Sequence, residues 1–131
     1  IGIHLETQVF KNEKKSVAHR SFSMTKLFFL GFGVSDYLDD QLDLRFAHKD
    51  VLDLEAELKR KVTDFVSIQT MTFIDDQVTS SAFKEATDFL DQVTVHDVLV
   101  VFVAGHGVRA NDKAHTFYFL GYDASIDDVE K

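Results

Sequence analysis

Residues 98 to 108 read VLVVFVAGHGV: seven residues without a polar side chain, then a histidine between two glycines. His106 can take or give a proton near neutral pH, and glycines on both sides let a ligand and the backbone approach closely. The same residues also describe a histidine that merely ends a strand at the surface. Other polar groups collect where apolar runs stop, in GFGVSD (31–36), DD (75–76) and GYD (121–123). Asp50 sits at the start of an amphipathic stretch, where an acid in the first helical turn also suits the helix dipole.

These positions need elements to hold them. TKLFFLGFGV (25–34) is almost continuously apolar, the pattern of a strand covered on both faces. Ala47, Val51, Leu54, Leu58 and Val62 recur every three to four residues and predict a helix. DFVSIQTMTF (64–73) is rich in β-branched residues and predicts a second strand, followed by a loop, IDDQVTSS. Thr79 or Ser80 is placed to cap the next helix, whose apolar positions run from Ala82 through Val93. DVLVVFVAGHG (97–107) and TFYFL (116–120) supply two further strands.

Strands alternating with amphipathic helices predict an α/β fold with a mainly parallel sheet flanked by helices on both faces. In such sheets chemistry sits at the carboxyl ends of the strands, where His106 falls. Residues 1–22 read as an N-terminal extension or hairpin, and residues 23–131 as the domain. The chain starts without a methionine, so it is expected to begin inside a longer precursor.

Composition narrows the function. With 45% hydrophobic residues and 13 Phe, the 131-residue chain can fill one core. A net charge of -8 with no long basic run argues against nucleic acid as a partner. No apolar stretch reaches the roughly 20 residues that cross a bilayer, so no membrane partner is expected. There are no cysteines, which excludes disulfides and thiolate metal sites and makes a cytoplasmic setting the expectation.

DVLVVFVAGHGV followed by TFYFLGYDA resembles the caspase-like cysteine peptidases, which include caspases, metacaspases and bacterial relatives. FFLGFGVSDY is similar to that family's first strand and loop, LRFAHKDVLDLEAEL to its first helix, and FIDDQVTSSAFKEATDFL to its aspartate-bearing loop and second helix. The resemblance spans about residues 25–124. It implies that His106 is the histidine of a Cys-His dyad and that the backbone N–H of Gly107 helps hold the oxyanion. It also implies that Asp50 lines the pocket for an Arg or Lys before the cut bond, while Ala104 stands where several relatives carry a serine. Caspases proper hold a substrate aspartate with a basic residue of the first loop; GFGVSDY has none.

The nucleophilic cysteine is missing from this chain, so the resemblance implies a partner: the remaining Cys-bearing part of the same precursor, acting on a protein or peptide substrate. The alternatives are a catalytically inactive caspase-like domain serving as a regulatory module, and an unrelated α/β domain that binds a small ligand. The latter lacks a glycine-rich phosphate loop. No cofactor is expected. Calcium is a minor candidate, through Asp75 and Asp76 with Asp127 and Asp128, as in some metacaspases. His48 and His115 lack zinc-site spacing and read as surface residues, and Asp123 reads as a turn residue.

Overall fold

The computed structural model of the chain describes residues 2–4, 24–61 and 63–129. Its centre is β2 (Lys26–Gly33), flanked by two parallel strands, β3 (Ser67–Ile74) and β4 (Val98–Ala104), in the order β3-β2-β4. Lys26 pairs with Ser67 and Gly33 with Ile74 on one side; Leu27 pairs with Val98 and Gly33 with Ala104 on the other. Parallel neighbours need long crossovers. Helix α1 (Ala47–Lys61) supplies the first and α2 (Ser80–Leu90) the second.

Alternation along β2 sorts the two faces. Phe28 and Phe32 point to the α2 side, where their rings lie 5.5 Å from Phe89 and 4.9 Å from Phe83. Gly31 and Gly33 point the other way, and a Cβ at either would come within 2.6 or 2.8 Å of Val51 on α1. The two glycines thus let α1 lie close against the sheet, and Val51 is fully buried there. On α2, Ala82, Ala86 and Phe89 are the buried positions, at spacings of four and three, as one helical face requires. Together these contacts make a small α/β fold with a parallel three-stranded sheet and a helix on each face.

TFYFL forms a strand, but not in that sheet. β6 (Phe117–Leu120) runs antiparallel to a short strand, β5 (Gly107–Arg109), and to β1 (Gly2–His4), in a second sheet ordered β1-β6-β5. The connection 110–116 joins β5 and β6, short enough for antiparallel neighbours. Asp112 closes that connection, its carboxylate accepting from the Thr116 N–H (3.0 Å) and hydroxyl (2.9 Å). Of the N-terminal extension, only Gly2–His4 is described, paired with β6; the expected hairpin lies outside the described residues. A last turn of helix, α3, covers Ile126–Val129.

Thr79 is the residue preceding α2, as capping chemistry predicts, yet its side chain makes no capping bond. Its hydroxyl lies 3.0 Å from that of Ser81 instead. None of the helices in the described residues is long and apolar enough to cross a membrane.

Candidate functional site around His106

His106 lies between β4 and β5, at the carboxyl end of the parallel sheet. Two of its contacts come from the loop after β2. Its backbone N–H donates to the Tyr37 hydroxyl at 2.8 Å, and its ring Nε2 is 2.8 Å from the carbonyl oxygen of Leu42. A carbonyl can only accept, so this contact requires the proton on Nε2. Neutral His106 is thereby set in the tautomer whose Nδ1 is a bare acceptor, ready to serve as a base. The Tyr37 and His106 rings are 5.5 Å apart, centre to centre.

Gly105 is what lets Tyr37 reach. A Cβ there would fall 2.9 Å from the Tyr37 oxygen and 2.7 Å from the Phe119 ring. Gly107 has a different neighbour, since a Cβ on it would run into the ring of Phe117, which is half exposed. The pairing of β5 with β6 also decides where the Gly107 N–H points. Leu120 N–H donates to His106 oxygen at 2.9 Å and Ala110 N–H to Thr116 oxygen at 2.7 Å, in the register Gly107–Phe119. Hydrogen-bonded and non-bonded pairs alternate along an antiparallel ladder. Gly107–Phe119 is therefore a non-bonded pair, and the Gly107 N–H points away from β6.

The loop 34–46 that grips His106 is itself built from carboxylates. Asp75 Oδ1 accepts from the N–H groups of Ser35 (2.7 Å) and Asp36 (3.1 Å). Asp43 accepts from Tyr37 N–H at 2.8 Å, and Asp39 takes Gln41 N–H at 3.2 Å and Ile126 N–H at 2.8 Å. Backbone bonds join the loop to the sheet end through Val34 N–H to Ala104 oxygen (3.0 Å) and Leu38 N–H to Tyr122 oxygen (3.0 Å). Leu42 is buried in a 3-10 turn, Asp40–Leu42, which aims its carbonyl. Burial chiefly raises the Tyr37 phenol above its ordinary value; the contact from His106 N–H opposes this and the Asp75 charge adds to it. Tyr37 therefore stays a neutral hydroxyl at any physiological pH.

Sequence reasoning missed Tyr37 and Leu42. Leu42 acts through its backbone, which leaves no mark on residue type. Tyr37 left only a faint one, an aromatic among acids directly after the core strand.

Asp50 is exposed in the first turn of α1, at the same end of the sheet, its N–H donating to Phe46 oxygen at 2.8 Å. Among the described residues no hydrogen bond or ion pair links it to His106. His48 is not a plain surface residue: its Nδ1 is a buried atom with no hydrogen-bond partner, 3.7 Å from Asp75 Oδ2. The backbone forces this placement, because His48 N–H donates to the fully buried Ser35 Oγ at 3.0 Å. His115 is exposed, in a turn at φ 50°. Asp123 is exposed in the turn after β6.

Among the described residues no three His, Asp or Glu side chains converge as a metal site would require. Asp75, one of the calcium candidates, has its Oδ1 engaged with the backbone N–H groups of Ser35 and Asp36. An open hollow of about 580 Å³ runs along the outer edge of β3, lined by Met71, Phe73, Asp76, Gln77 and Glu85 among others; His106 is not part of it. Comparison with protein-family models, curated proteins and solved structures gives no match for this chain.

Proposed function

We propose that this chain is the histidine-bearing part of a caspase-like cysteine endopeptidase that cuts after Arg or Lys. The observation that carries the reading is the fixed tautomer of His106, with Nε2–H on the Leu42 carbonyl and Nδ1 left as acceptor. The thiol comes from the remaining, Cys-bearing part of the same precursor. His106 Nδ1 takes the thiol proton, and the resulting thiolate attacks the scissile carbonyl carbon. As the C–N bond breaks, the imidazolium returns that proton to the leaving amine, and water then hydrolyses the acyl-enzyme. The Gly107 N–H donates to the oxyanion, a contact type that lowers barriers by a few kcal/mol per donor.

The sheet offers support for a further strand. β4 is an edge strand among the described residues, and Leu99 and Val101 on it are 40% and 45% exposed. Apolar strands of parallel sheets are ordinarily covered on both faces. Asp50 is the proposed contact for the basic residue before the cut, since its exposed carboxylate can pair with a guanidinium or ammonium group. The second reading, a catalytically inactive regulatory module, is favoured by the lack of any cysteine in the chain.

Fluorogenic peptides ending in Arg, Lys or Asp, given to the full-length precursor, test both. Preferential release from Arg or Lys peptides is expected, with Asp50→Ala erasing that preference. An unchanged preference in Asp50→Ala contradicts the pocket assignment, and no turnover of any peptide favours the inactive module.

A further inference from the structure

We propose that Asp75 is a positioning residue for His106, acting through the loop 34–46; the inference rests on the reading of His106 as a general base. Asp75 lies in the 3-10 turn after β3, with its backbone in the left-handed region at φ 49°. That conformation disfavours side chains, although Asp and Asn tolerate it better than most residues. A glycine would sit there at no steric cost.

Its Oδ1 accepts two consecutive N–H groups, those of Ser35 and Asp36, at the point where β2 gives way to the loop. Charge-assisted bonds of this kind are roughly twice as strong as neutral ones. The next residue is Tyr37, whose hydroxyl accepts the His106 N–H, and the same loop delivers the Leu42 carbonyl to Nε2. One carboxylate thus fixes the root of the loop that contacts both the backbone and the ring of His106. Ser35 extends the brace to α1, its hydroxyl accepting from His48 N–H.

The test compares full chains carrying Asp75→Gly, Asp75→Asn and Asp97→Ala. Glycine removes the carboxylate while suiting the left-handed backbone. Asp97 is the control, because it also accepts two backbone N–H groups, of Lys26 (3.1 Å) and Thr94 (2.9 Å), but at the opposite end of the sheet. Nitrogen-15 shifts of the His106 ring report its tautomer, and hydrogen exchange reports its N–H.

In the parent the ring is expected as the Nε2–H tautomer. Asp75→Gly is expected to mix the tautomers and to lower protection of the Ser35, Asp36 and His106 amides together by about tenfold or more. Asp75→Asn, which keeps an oxygen without the charge, falls in between, and Asp97→Ala leaves His106 as in the parent. A His106 signature unchanged in Asp75→Gly overturns the proposal, as does an equal change in Asp97→Ala. If the glycine variant does not fold, an Asn variant with parental protection at His106 is the contradicting result. Neither readout needs turnover, so the outcome stands whether or not the precursor proves to be a peptidase.

Discussion

At the scale of single residues, His106 is defined less by its neighbours in sequence than by a loop about seventy positions away. Its two glycines do unequal work. The space beside Gly105 is filled by Phe119 and Tyr37, which are 3% and 6% exposed and cannot swing aside. Gly105→Ala is therefore expected to cost about 1–3 kcal/mol in denaturant unfolding, the usual cost of overpacking. Gly107→Ala meets only the Phe117 ring, 47% exposed and able to move. Its loss should be the smaller of the two, and the reverse order would contradict the packing described. The histidine itself was legible in the sequence because a glycine-flanked imidazole ends an apolar strand. Its partners were not: a backbone carbonyl has no residue signature, and a tyrosine in an acidic loop has many possible uses.

At the scale of elements, period and propensity were enough for β2, β3, β4 and both long helices. The apolar run 25–34 predicted a doubly covered strand, and both faces of β2 are indeed buried. What sequence missed was partnership. TFYFL has the composition of a core strand, but it pairs antiparallel with β5 and β1, a choice of partner that residue type does not mark. β5, with an arginine and a glycine among its three residues, carried no strand pattern at all. The contact of Phe89 with Phe28 joins α2 to the central strand at 5.5 Å, edge to face. Phe89→Ala should cost about 3–5 kcal/mol by denaturant unfolding. A loss below 1 kcal/mol would mean that α2 is not anchored there.

At the scale of the molecule, the acidic balance sets the pH response. Asp97 is held below the ordinary carboxyl value of 3.8, first by the Thr94 N–H and hydroxyl and then by the Lys26 N–H. Asp112 is held low by the Thr116 N–H and hydroxyl. Burial pushes the Glu55 carboxyl up, but bonds from Thr70 and Lys59 outweigh it and leave the group below 4.5. Carboxyls lowered on folding contribute their full share above the unfolded values and lose it as pH falls through the folded ones. Stability should therefore hold above pH 5 and decline below about pH 4. Asp97→Asn should flatten that acid limb in thermal melts at stepped pH, and an identical limb would contradict the assignment. Charge was fully legible from composition, but which acids brace turns was not, since Asp97 and Asp112 look like solvated loop acids until the strands are in place.

The central claim, that His106 is the base of a cysteine peptidase, is tested most directly by kcat/KM of the full-length precursor on its best Arg or Lys peptide, parent beside His106→Ala. The claim predicts a fall of about a hundredfold or more, the contribution of a positioned general base, with the melting temperature little changed. Equal turnover by the two proteins would contradict it.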